Sequence, residues 1–351
     1  MLRQGALMVR QLDERKRLVL SAVVEDYIET CTPVGSRTLS KRYNLGISPA
    51  TIRNEMADLE EMGLLEQPHT SAGRVPSDRG YRYYVDELMP KVTLDPQTLA
   101  EIQYRLYVKA TQFDQLLQAT ARVLSEATDY MAVVLGPEVE DAVIERISYV
   151  KLTEDKALLV VVNDTCLIHE AIIDMPPGTT AQQLVMIGEI VTKALRGLAF
   201  SKVSARALQM LRSELNEHRD LLEASIEALH TLMETPGYER LALGGASNIL
   251  KQPEFRDTEK LQLILKLIER RADLIRLAAA GEGEVVVRIG TENRDQRARE
   301  LSLITAEYSS KRGIVGRIGV LGPRRMKYNK ALAVVTYVQE LINDWLEKSA
   351  L

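Results

Sequence analysis

Apolar residues recur with a helical period over residues 13 to 30, where Leu20, Val23, Val24 and Tyr27 fall at i, i+3, i+4 and i+7, and Thr32-Pro33 ends the run. A short second helix is expected over Ser36 to Tyr43, with Ser36 as N-cap and Leu39 facing inward. Asn44-Leu45-Gly46 then supplies a turn, because Asn and Gly accept positive φ. A third helix opens on Ser48 as N-cap with Pro49 at its first position, where the missing N–H costs nothing. It carries Ile52, Met56 and Leu59 on one face and stops at Gly63. Leu64–Gln67 and Arg74–Pro76 flank a polar loop, Pro68 to Gly73, which predicts a small hairpin, and residues 78 to 89 return to helix.

Beyond Pro90 the pattern predicts two helices, about 96 to 110 and 112 to 128. Strand-like runs follow at Tyr130–Leu135, Val143–Leu152, Ala157–Asn163 and Cys166–Ile173, with Asp164-Thr165 as a tight connection, and predict a mostly antiparallel sheet. Pro176-Pro177-Gly178 then precedes helices at about 180 to 198, 203 to 233 and 258 to 280. Strand character resumes at Glu284–Ile289, Leu301–Tyr308 and Ile314–Leu321, and a last helix covers about 327 to 347. Sheet, helices, sheet is the signature of an insertion: one α/β domain in two parts, 91–177 and 283–351, interrupted by a helical module at 178–282.

The chain has 351 residues, enough for two or three domains, and its 46% apolar and 27% charged residues are those of a folded globular protein. Its net charge of -4 means that a nucleic-acid surface, if present, is local. Cys31 and Cys166 are far apart, and with four histidines they show no zinc-site spacing, so neither metal nor cofactor is expected. Nor does any carboxylate pair stand with a His or nucleophile at a motif spacing, and no catalysis is expected. No apolar stretch is long enough for a membrane span or a signal core, which points to a cytoplasmic protein with residues 1 to about 10 as a loose extension.

Helix, short helix, glycine-containing turn, well-capped helix and hairpin, in that order, make a winged helix-turn-helix. Between Glu29 and Glu55 there is no acid, while Arg37, Lys41, Arg42 and Arg53 lie inside, which suits a phosphate-facing surface. With Ile52, Met56 and Leu59 inward, Ala50, Asn54 and Ala57 point outward, flanked by Thr51 and Arg53. Arg53 and Asn54 are the candidate base readers, since Arg pairs bidentately with guanine and Asn with adenine, and the methyls of Ala50 and Thr51 suit thymine. Asp58 and Glu61 further along would repel phosphate, so only the first two turns should enter a groove. Thr38 and Ser48 complete this surface, and His69, Thr70, Ser71 and Arg74 on the wing are candidate backbone contacts, with Arg74 the best phosphate ligand. A ligand-sensing or protein-docking module, with the same fold contacting protein, is the competing interpretation.

The segment PVGSRTLSKRYNLGISPATIRNEMADLEEMGLLEQPHTSAGRVPSDRGYRYYVD, Pro33 to Asp86, closely resembles the N-terminal region of the heat-inducible transcription repressor HrcA family. The remainder is similar to that family more loosely, through the strand run around Val143 to Val162 and GIVGRIGVLGPRRMKY, Gly313 to Tyr328. The resemblance implies an α+β multidomain fold: a winged helix-turn-helix at 1–90, a GAF-like domain at 91–177 and 283–351, and a dimerising insert at 178–282. It further implies a homodimer that binds an inverted-repeat operator, the CIRCE element, upstream of groE- and dnaK-type chaperone operons, with activity promoted by the GroE chaperonin.

Overall fold

The computed structural model describes residues 12–70, 72–107, 113–136, 143–163, 168–198, 219–234, 241–281, 283–310 and 313–348. The expected loose extension, the connection at Asp164-Thr165, residues 203–218 of a predicted helix and Ser71 lie outside the described residues. The chain divides into two compact units. One contains the chain to Leu135 with Ala242–Tyr308 and Arg317–Ile342; the other contains Gly136–Leu241, Ser309–Gly316 and the segment from Asn343.

The first unit begins with α1 (Glu14–Thr30), α2 (Ser36–Arg42) and α3 (Pro49–Glu61). Asp13 caps α1 by accepting from the Lys16 amide at 2.9 Å, and Ser48 caps α3 by accepting from the Thr51 amide at 3.1 Å; each satisfies an amide that the first helical turn leaves free. The strands β1 (Leu65–Glu66) and β2 (Val75–Pro76) pair antiparallel, and β2 leads into α4 (Asp78–Tyr83) and a π-helical turn, Tyr84–Leu88. We call this segment the head.

Gly80 sits where α4 crosses the end of the turn before β1: a Cβ there would lie 2.0 Å from the Leu64 carbonyl oxygen. Gly to Ala in a helix ordinarily stabilises by about 1 kcal/mol. Here the clash is with backbone, which cannot rotate away, so Gly80→Ala is expected to destabilise by about 3 kcal/mol and lower the urea midpoint of the head. A midpoint at or above that of the unsubstituted protein would show that α4 can slide.

The rest of the first unit, the body, is built on a five-stranded sheet in the order β7-β3-β10-β9-β8, comprising β3 (Met131–Leu135), β7 (Leu241–Gly244), β8 (Val285–Ile289), β9 (Leu301–Ser310) and β10 (Gly313–Pro323). β3 is buried along its whole length and pairs antiparallel with β10. Helices α5 (Pro96–Tyr107), α6 (Phe113–Thr128), α9 (Thr258–Glu269), α10 (Arg271–Ala279) and α11 (Tyr328–Lys348) accompany it; the single helix expected over 258 to 280 is broken at Arg270.

The second unit has its own antiparallel sheet, β4 (Ile144–Lys151), β5 (Lys156–Asn163) and β6 (Ile168–Asp174), with α7 (Ala181–Leu195) and α8 (Arg219–Glu234). Ile147, Tyr149, Leu159, Val161 and Ile173 meet Leu184, Ile187 and Val191 of α7 and Leu222 of α8 in one core. On the opposite face the register aligns Val150, Leu158 and Ile172 in one apolar row, in which Leu158 is half-buried and, among the described residues, Val150 is 51% and Ile172 63% exposed.

These units divide the chain differently from the expected boundaries at 177/178 and 282/283. Strands β4–β6 leave the central sheet for the second unit, and 242–281 return to the first. The physical reason lies in the strand patterns: MAVVL of β3 is apolar throughout, as a strand covered on both faces must be, whereas β4 and β5 alternate buried and accessible positions and need cover on one face.

Candidate nucleic-acid interface

Helix α3 is held from below and from behind. Ile52, Met56 and Leu59 are buried against the head. The Lys16 ammonium of α1 reaches Glu55 at 2.8 Å and Asp58 at 3.0 Å, and these carboxylates, Glu55 foremost, hold it well above the ordinary lysine range. Asp58, expected only to repel phosphate, thus has its charge engaged within the head. In its first two turns α3 leaves Pro49, Ala50, Arg53 and Asn54 exposed, and Asp58 and Glu61 further along; Ala57, expected to point outward, is half-buried. Neither Arg53 nor Asn54 makes a side-chain hydrogen bond or ion pair among the described residues, so both remain available to a ligand. Ser48 and Thr51 stand differently: the Ser48 hydroxyl accepts from the Thr51 amide and lies 2.9 Å from the Thr51 hydroxyl, which makes both part of the helix start.

On α2, Arg37, Thr38 and Lys41 are exposed, and neither cation is ion-paired among the described residues. Arg42 is exposed too, but its guanidinium donates at 2.5 Å to Asp26, whose carboxylate is buried in the head, and that carboxylate raises the arginine's pKa. Of the four basic residues in the acid-free span, Arg37, Lys41 and Arg53 are free to meet phosphate, whereas the charge of Arg42 is balanced internally.

The hairpin loop is shaped by Gln67, whose side-chain amide donates to the Thr70 carbonyl at 3.0 Å and the Ala72 carbonyl at 3.1 Å. His69 and Thr70 are exposed on it, and Ser71 is outside the described residues. Arg74 is engaged within the head: its Nε donates to Glu60 of α3 at 2.8 Å, while its backbone pairs with Val34 at 2.8 and 2.9 Å. It ties the hairpin to α3 and to the strand-like residue before α2. Arg82 turns away to Glu292 of the body, and Tyr81, Tyr83 and Tyr84 are buried packing residues.

A division of labour follows for the cations. Arg37→Ala or Lys41→Ala is expected to flatten the log K against log salt slope by about one. Arg74→Ala is expected to leave that slope unchanged while lowering the melting temperature of the head, because it unties Glu60 and Val34. Salt titrations beside thermal melts separate the two, and a flattened slope for Arg74→Ala would restore it as a phosphate contact.

Sequence reasoning overlooked Lys16, Asp26, Glu60 and Gln67, which hold α2, α3 and the hairpin in place beneath the exposed face. Lys16, Asp26 and Glu60 each pair across 14 or more positions, so no local spacing marks them. Elsewhere in the first unit, an open cavity of about 510 Å³ is lined by polar groups including Arg122, Glu126 and Lys251. Among the described residues there is no cluster of three or more His, Cys, Asp or Glu arranged for a metal, and no helix is long and apolar enough to cross a membrane.

The profile of the HrcA protein C terminal domain matches residues 114–332. The heat-inducible transcription repressor HrcA of Symbiobacterium thermophilum is 43% identical over 336 residues, covering 95% of this chain and 98% of its own. The chain belongs to the HrcA family. The HrcA of Moorella thermoacetica is 42% identical over 340 residues, covering 96% of this chain and 99% of its own. HrcA proteins are named for transcriptional repression, not for an enzymatic activity. A hypothetical protein solved by crystallography at 2.2 Å superposes with a TM-score of 0.66 at 24% identity, over 97% of this chain and 100% of that one, and shares the fold.

Proposed function

We propose that this chain represses heat-shock chaperone operons, of groE and dnaK type, by binding an inverted-repeat operator of the CIRCE kind as a homodimer in the cytoplasm. The head is its winged helix-turn-helix and the body a GAF-like domain. The observation that carries the reading is the outward face of α3: Ala50, Arg53 and Asn54 exposed, two of them hydrogen-bonding side chains without a partner among the described residues, beside the unpaired cations Arg37 and Lys41 of α2. Such a face offers base-edge readers and phosphate contacts together. Dimerisation is assigned to the second unit, because the apolar row Val150, Leu158 and Ile172, whose outer two members are exposed among the described residues, is a sheet face of the kind that a second copy covers. Promotion of repression by the GroE chaperonin follows from family membership.

The test is competition at matched salt between an inverted-repeat duplex and a random duplex of equal length. A preference of 10³-fold or more supports specific operator binding. Equal affinity would remove the repressor reading and favour a head that docks protein.

A further inference from the structure

Head and body are joined by more than the chain between them. On α4, the Asp78 carboxylate accepts from the Thr291 amide at 2.8 Å, the Thr291 hydroxyl at 2.9 Å and the Arg324 guanidinium at 3.1 Å. The body loop closes so tightly on it that a Cβ at Gly290 would lie 2.3 Å from the Asp78 oxygens. One turn on, the Arg82 guanidinium pairs with Glu292 through two nitrogens and donates to the Val287 carbonyl at 2.6 Å. Between these grips the rings of Tyr81 and Tyr328 meet with centroids 6.0 Å apart, both buried. Next to Arg324, Arg325 donates to the Ile28 carbonyl in the last turn of α1 at 3.0 Å and pairs with Glu254.

We infer that Asp78 and Arg82 are positioning residues that lock the reading helix to the body and thereby set which separation of operator half-sites the dimer accepts. The inference rests on the dimeric operator reading above. A covalent linker alone, the exposed segment around 90–95, would let the head pivot. Charge-assisted bonds through both oxygens of one carboxylate and through several nitrogens of one guanidinium resist rotation as well as separation, and the tyrosine pair gives head and body a common core. The grip reaches α3 through the hairpin, since β2 runs directly into α4 and Arg74 ties β2 to Glu60. A dimer gains from its second half-site only where geometry lets both heads engage, so a rigid mount makes that gain depend sharply on spacing. Five added base pairs turn one half-site to the far side of the duplex.

The experiment uses the full chain with Asp78→Ala and Arg82→Ala combined, and Asp78→Asn as a milder second variant. Affinity is measured for an isolated half-site and for inverted repeats whose central spacer is altered by up to five base pairs; hydrogen exchange is followed across α4 and residues 287–293. The unsubstituted protein is expected to lose 10²-fold or more on the five-base-pair insertion. The variants are expected to keep half-site affinity, lose tenfold or less on insertion, and exchange faster at Thr291. Reciprocal exchange, Arg82→Glu with Glu292→Arg, should restore the spacing profile, which a general loss of stability would not do. The inference is overturned if the variants keep the original profile while merely melting lower, or if the unsubstituted protein prefers inverted repeats yet tolerates every spacer. Absence of any preference for an inverted repeat over a half-site would fail the dimeric reading itself and take the spacing role with it.

Discussion

Excising residues 137–240 and joining Gly136 to Leu241 through about eight Gly/Ser residues is expected to yield a folded monomer with weak half-site binding and an inverted-repeat affinity reduced by about 10²- to 10⁴-fold. The joint is feasible because β3 and β7 are neighbours in the central sheet, so their ends are separated by at most a strand length, about 17 Å, and eight residues span about 26 Å. The loss is large because one winged helix reads only a few base pairs, and the second head binds at an effective concentration that exists only while the copies are joined. The excision suggested by sequence alone, 178–282, is expected to behave quite differently. It would remove β7, α9 and α10 from the first unit while stranding β4–β6 without the helices that cover them, and the product should be insoluble. In the intact chain, Val150→Asp with Ile172→Asp should dissociate the dimer with no change in fold, since both side chains are exposed among the described residues. Sedimentation velocity with operator titration checks each variant; a dimer with full operator affinity after excision or double substitution would move the interface elsewhere.

Replacing Arg53 and Asn54 by Ala is expected to cost about 1 to 3 kcal/mol each at the cognate operator, roughly 5- to 150-fold, with much smaller losses on random duplex. The substitutions should spare the fold, because both side chains are exposed and hold no protein partner among the described residues. The helix beneath them is independently fixed by Ile52, Met56, Leu59 and the Lys16 pairs, so the lost contacts are those to DNA. Binding isotherms on cognate and random duplexes at several salt concentrations decide the matter. Equal losses on both would reassign the two residues to positioning on the phosphate backbone.

Much of the head is legible along the chain because its signals are local. The N-cap at Ser48, the proline opening α3 and the 3.6-residue spacing of Ile52, Met56 and Leu59 all act within a few residues, and that spacing turns Ala50, Asn54 and Ala57 outward with Thr51 and Arg53 on the flanks, of which Ala50, Arg53 and Asn54 are exposed and Thr51 and Ala57 half-buried. The family resemblance, too, rests on contiguous sequence. What the chain could not declare is which charges are already used. Arg42 and Arg74 look like Arg37 and Lys41 in sequence, and only folding brings Asp26 and Glu60 against the first two, because a carboxylate neutralises whatever guanidinium tertiary packing delivers to it. The same holds for Arg82, whose partner Glu292 lies 210 residues away. Strand allocation was likewise a tertiary decision: alternation states that one face of β4 and β5 is covered, but hydrogen-bonding partners and the covering helices are chosen by long-range pairing. Local propensity thus determined the elements and the exposed face of α3, while the division into units and the contacts of the body with the head were decided where distant segments meet.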